Sequence, residues 1–201
     1  MENNNFYKDM IAVTNRHLLD TGSNPADALL AKLEDISKLG VKAIVLREKD
    51  LDIKKYKKLA IKAIDICSRS NTPLILHSFG QAAIDIGHRS IHLPLPDLYR
   101  IYGNYRSKLS SFDTIGTSVH SVQDMITAMQ CGATYVFAGN IYPTDCKSGL
   151  PGRGLNFLAQ VCSISTIPVY AIGGVTPEKM PELLMAGASG GCMMSGFMKI
   201  L

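Results

Sequence analysis

The chain has 201 residues, 46% of them apolar, and a formal net charge of +4. It carries no run of about 18 uncharged apolar residues, so a membrane span is excluded, and its mild charge, without an aromatic stacking platform, argues against nucleic acid and suits a small anionic ligand better. The opening "MENNNFYKDM" lacks the basic-then-apolar layout of an export signal, which points to a cytoplasmic, reducing location.

Short apolar or β-branched runs alternate with longer amphipathic segments along the whole chain. The first expected strand is "MIAVTN" (10–15). "PADALLAKLEDISKLG" then shows helical i, i+3, i+4 spacing and closes on Gly40. The second strand is "VKAIVLRE" (41–48). After it the lysines of "KKYKK" (54–58) spread over a solvated helical face. "PLILHS" (73–78) and "RSIHLP" (89–94) are the third and fourth strands, and "TIGTSVH" (114–120) is the fifth. Ser121 is placed to cap the helix of "SVQDMITAMQCGA". "YVFAGN" (135–140) leads into the punctuated loop "PTDCKSGLPGRG" (143–154), which suits a mobile lid. "PVYAIGG" (168–174) precedes "TPEKMPELLMAGA", with Thr176 as N-cap and Pro177 at the first helical position, and "GCMMSG" (191–196) is the eighth strand.

Continuous apolar strands separated by helices imply a parallel sheet covered on both faces, and eight such units suit a compact (β/α)8 TIM barrel. A doubly wound open sheet is the rival, but the loop after the first strand, "TNRHLLDTGSN", is no Gly-rich dinucleotide fingerprint. No linker or composition shift divides the chain, so residues 1–201 read as a single domain. After Gly196 only "FMKIL" follows, so the final helix is expected to be truncated, its place taken by the amino-terminal segment, by a partner subunit or by nothing.

In a barrel the carboxyl ends of the strands share one face, and phosphate commonly docks beyond strands seven and eight. That places Thr14, Arg47, Lys49, His77, Ser118, His120, Asn140, Gly173, Gly174, Ser195 and Gly196 at one mouth. Gly173-Gly174 and Ser195-Gly196 read as a phosphate cradle of bare amides, or else as tight turns. Arg47 and Lys49 alternate toward one face, either as an anion clamp or in salt bridges with Glu48 or Asp50. His120 is the candidate proton shuttle, with Ser118 placed to orient a ligand or to bond the backbone; His77 and His92 are lesser candidates. Lys147 and Arg153 either bring positive charge over a ligand or keep their loop soluble. The scattered cysteines 67, 131, 146, 162 and 192 lack a C-x-x-C pair and read as small buried hydrophobes, with Cys146 the one to test for reactivity.

"LREKDL", "GTSVHS", "ATYVFAGNIYPTDCKSGLPGRGL", "IPVYAIGGVTP" and "MAGASGGCMMSG" together resemble the thiamine phosphate synthase/TenI superfamily, from about Met10 to Gly196. The resemblance implies a barrel of the thiamin phosphate synthase type, commonly a homodimer, acting on a small phosphorylated thiazole. Two chemistries share that scaffold. The synthase couples a pyrimidine diphosphate to thiazole phosphate with the help of magnesium; the tautomerase moves protons on a thiazole carboxylate phosphate. The synthase pattern has an Asn-Asp pair after strand three and an aspartate after strand four, whereas this chain has His77-Ser78 and keeps only Asp97.

On that departure the expectation is a thiazole tautomerase without cofactor or metal, magnesium entering only with the synthase alternative. The resemblance makes His120 of "SVHS" its acid/base; the accompanying expectation is that the amides of Gly173, Gly174, Ser195 and Gly196 hold the phosphate, Arg47, Lys49 or Lys147 meets the carboxylate, and Ser118 helps place the ring. A non-catalytic sensor of thiamin intermediates is the second alternative.

Overall fold

Each apolar run of the sequence is long enough for one short strand with both faces covered, and the structure uses them in that way. The computed structural model describes residues 7–19, 24–144, 149 and 151–199. Its strands are β1 Met10–Val13, β2 Ala43–Leu46, β3 Leu74–His77, β4 Ser90–Leu93, β5 Thr114–Val119, β6 Tyr135–Gly139, β7 Val169–Ile172 and β8 Gly190–Met193. They follow one another in a closed barrel. The pairings are parallel, as in Val13↔Val45, Leu46↔Leu76 and Gly139↔Ile172. The (β/α)8 expectation therefore holds. Between the strands lie α1 Pro25–Lys38, α2 Ile53–Arg69, α3 Gly80–Asp85, α4 Leu95–Asn104, α5 Val122–Gln130, α6 Gly154–Ile164 and α7 Met180–Met185, and α8 Ser195–Lys199 follows β8. No helix among the described residues is long and apolar enough to cross a membrane.

The chain divides into two compact units, one running to His88 and resuming at Met193, the other spanning Arg89–Cys192. In the first, β1, β2 and β3 are buried at every position, as strands covered on both faces must be. α1 buries Leu29, Leu33 and Ile36 on one stripe, and α2 buries Tyr56, Leu59, Ala60, Ala63 and Cys67. Tyr56, inside the "KKYKK" run, points inward. Its hydroxyl donates to the Leu46 carbonyl at 2.7 Å and accepts the His77 amide at 2.9 Å, fastening the end of β2 to that of β3.

The short final helix finds its cover in the same unit. Phe197 is fully buried, and its ring lies 5.5 Å from that of Tyr7 in the amino-terminal segment. Of the three covers considered for this surface, the amino-terminal segment is the one observed.

The second unit keeps the expected caps, with one change. Ser121 caps α5, its hydroxyl accepting the Asp124 amide at 2.9 Å. The segment after Thr176 is not one helix. A 3₁₀ turn over Pro177–Lys179 comes first, Thr176 makes no side-chain cap bond, and α7 starts afresh at Met180. Pro181 is the physical reason: it has no N–H to donate back along a continuous helix and is tolerated only in a first turn. Cys131 and Cys192 in this unit, like Cys67 in the other, are buried. Burial pushes the Cys67 and Cys162 thiols up to about 11, where they behave as hydrophobes. Cys146 lies outside the described residues.

Candidate active site

The second unit builds its polar centre from the ends of β4 to β7. His120 is the first residue past β5. Its amide donates to Asp124 Oδ2 at 2.7 Å while Asp124 is itself bound to Ser121, so the start of α5 fixes the histidine backbone. The ring is fixed as well: His120 Nδ1 lies 2.6 Å from the carbonyl oxygen of Gly139 at the end of β6. A carbonyl can only accept, so Nδ1 carries a proton, and in the tautomer this sets, Nε2 is the ring's acceptor.

Next to this point the two glycines after β7 meet the loop after β6. Gly173 has φ +98°, and a Cβ there would come within 2.6 Å of Asn140 Cβ; Gly174 has φ +63°, with the Pro143 carbonyl oxygen 2.6 Å from the same construction. Only glycine fits both the backbone and the approach. The Ile141 amide donates to Ile172 O and the Tyr142 amide to Gly173 O, at 2.9 and 3.0 Å. The amides of Gly173 and Gly174 donate to no backbone carbonyl among the described residues. The glycines thus make the tight turn that was one of the two readings given to them.

Ser118 belongs to a buried chain that the sequence did not reveal. His92, 1% exposed, has Nε2 at 3.0 Å from Ser118 Oγ and Nδ1 at 3.0 Å from the Tyr135 hydroxyl. Its ring packs 4.4 Å from that of Phe137. Burial holds the Tyr135 hydroxyl far above the ordinary phenol range, so it remains a neutral hydrogen-bonding group. Gly116 makes room for it, since a Cβ there would fall 2.0 Å from the tyrosine ring. The only local signal was a histidine within an otherwise apolar strand.

In the first unit the question was whether Arg47 and Lys49 are neutralised by Glu48 or Asp50. Both carboxylates bind Arg16. Glu48, 2% exposed, accepts from the Thr14 hydroxyl at 2.7 Å and from Arg16 Nη1 at 2.8 Å, and Arg16 also binds Asp50. The Arg47 amide is held by Thr14 Oγ1 at 2.8 Å, whereas its half-buried guanidinium enters no hydrogen bond or salt bridge with the described residues. Burial, then the charges of Lys49 and Arg47, lower the His77 pKa to about 3. His77 is therefore neutral, its Nδ1 2.7 Å from Ser78 Oγ, and the positive charge at this strand end belongs to the arginine and the lysine. In the same unit Ser195 is exposed and begins α8, and a Cβ on Gly196 would collide with the Met193 side chain. Lys147 lies outside the described residues.

The donor set does not fit the magnesium site of the synthase pattern. Magnesium takes hard oxygen ligands, chiefly carboxylates with substrate phosphates. After β3 the chain offers an imidazole and a hydroxyl near two cations, and Asp97, on α4, is paired with Arg100 at 3.2 Å.

The family model described as thiamine monophosphate synthase matches residues 11–197. This chain belongs to that family. Among its thiamine monophosphate synthase relatives, "Thiamine-phosphate synthase 2" of Streptococcus pneumoniae serotype 4 is 28% identical over 187 residues, which are 93% of this chain and 86% of that protein. The "Thiamine-phosphate synthase" of Methanobrevibacter smithii is also 28% identical, over 91% of this chain and 87% of its own. The solved thiamine phosphate pyrophosphorylase from Pyrococcus furiosus, at 23% identity, shares the fold with a TM-score of 0.76 over 98% of this chain and 89% of that one. These findings correct the tautomerase expectation: the curated relatives are named as synthases. The place in thiamine biosynthesis stands, and the isomerase assignment does not.

Proposed function

We propose that the protein is a thiamine-phosphate synthase, a transferase joining a pyrimidinylmethyl diphosphate to a phosphorylated thiazole. The observation that carries this reading is the shared name of relatives matched over nearly their whole length. In the reaction the bond between the pyrimidine methylene and the diphosphate oxygen breaks, its electron pair leaving with diphosphate. The thiazole nitrogen then donates its lone pair to the methylene carbon, and the ring becomes a cation. No proton has to move, which is why the chemistry needs charge placement more than an acid/base pair.

The residues divide accordingly. Arg47 and Lys49 bind the diphosphate and stabilise the charge it gathers as the bond breaks. Gly173 and Gly174 hold the thiazole phosphate through main-chain amides. Ser118, held by His92, orients the pyrimidine. His120 presents Nε2 as an acceptor toward developing positive charge. No step is assigned to magnesium, because the donors after β3 do not suit it. The protein acts in this reading as one catalytic domain, as a homodimer, in the cytoplasm.

The test is incubation with both substrates, with and without added magnesium, following thiamin phosphate and released diphosphate. Coupling supports the proposal; a protein that binds both substrates and releases no diphosphate overturns it.

A further inference from the structure

A set of three side chains beside the Gly173-Gly174 turn has no part in the mechanism above. Lys179, in the 3₁₀ turn after Thr176, donates from Nζ to the Gly174 carbonyl at 2.7 Å. The same ammonium sits 4.0 Å above the centre of the Tyr142 ring. The Tyr142 hydroxyl in turn donates to Glu182 Oε1 at 2.5 Å, and its amide donates to Gly173 O. The turn is thus gripped at both glycine carbonyls, Gly173 by Tyr142 and Gly174 by Lys179.

We infer that Lys179 is a positioning residue for the phosphate of the thiazole substrate, acting through the Gly174 carbonyl and kept in place by Tyr142 and Glu182. The inference rests on the reading of this turn as the phosphate site. Two effects follow from the geometry. A charged donor on the Gly174 carbonyl fixes the orientation of that peptide, and with it the turn that aims the Gly173 and Gly174 amides. The hydrogen bond also occupies an acceptor of the turn whose partial negative charge would oppose an incoming oxyanion. The aromatic face beneath the ammonium and the tyrosine tether keep Lys179 on the carbonyl rather than in water.

Calorimetry with hydroxyethylthiazole phosphate, and with the unphosphorylated hydroxyethylthiazole as control, tests this. Lys179→Met is expected to weaken the phosphorylated ligand about tenfold and leave the control unchanged, raising KM for the thiazole with little change in kcat. Lys179→Arg, which keeps a charged donor, is expected to restore most of the loss. Tyr142→Phe keeps the ring and loses the tether, for an expected loss of about threefold. A Lys179→Met protein that melts like wild type and binds the phosphorylated thiazole as tightly overturns the inference alone. So does an equal loss for both ligands. A wild-type protein that fails to prefer the phosphorylated ligand overturns the reading of the turn, and the inference with it.

Discussion

The ring of His120 is fastened to the carbonyl oxygen of Gly139, 2.6 Å from Nδ1, and the peptide that follows carries Asn140 against Gly173. One hydrogen bond therefore sets the tautomer of the imidazole and ties it to the segment that packs on the proposed phosphate turn. Replacing His120 by alanine removes the acceptor without disturbing the anion contacts. The expected result is a fall in kcat of about ten- to a hundredfold with diphosphate affinity unchanged, measured by steady-state coupling and by calorimetry with inorganic diphosphate.

Among the described residues the Arg47 side chain makes no salt bridge, while Arg16 binds both Glu48 and Asp50. Inorganic diphosphate is expected to bind the wild-type protein in the presence of a chelator, and Arg47→Met to weaken it at least about tenfold. Binding that needs added magnesium and ignores Arg47 would contradict the assignment.

Glu48 and Asp50 should differ sharply in stability effect although both bind Arg16. The Glu48 side chain is 1% exposed and also holds the Thr14 hydroxyl and the Arg16 amide, so Glu48→Ala strands several buried donors. A loss of about 3–5 kcal/mol is expected in urea unfolding. Asp50 is half exposed, and the Asp50→Asn change should cost less than about 1 kcal/mol.

His77 makes stability fall on acidification. Its pKa is about 3 in the folded chain against 6.5 as a free side chain, so between those values the unfolded state binds the extra proton and the folded state does not. The contribution is complete above pH 6.5 and is lost as pH falls toward 3. By about pH 4.5 the expected loss is on the order of 3 kcal/mol, and His77→Asn should remove that part of the slope. Parallel pH profiles for the two proteins would show that the histidine titrates normally in the fold.

The strands were legible because each is a run of β-branched or apolar residues bounded by turn chemistry, and a parallel barrel buries both faces of every strand. Ser121 was legible as a cap for the same local reason. Partnerships between distant residues were not. Arg16 reaches Glu48 across 32 positions and His92 reaches Tyr135 across 43, and no local pattern announces either bond. The break before α7 was present in the sequence as Pro181, but the apolar spacing of "EKMPELLMAGA" masks it. The function was misread where the His77-Ser78 departure, a statement about a metal, was allowed to decide the reaction class. The relatives' names bear on that class directly.

The most direct test of the account is a single-turnover incubation of the purified protein with pyrimidinylmethyl diphosphate and thiazole phosphate, quantifying thiamin phosphate and diphosphate together. The account expects the two products in equal amounts, with both lost in Arg47→Met. Neither product from a folded protein that binds both substrates, or diphosphate released without thiamin phosphate, would contradict it.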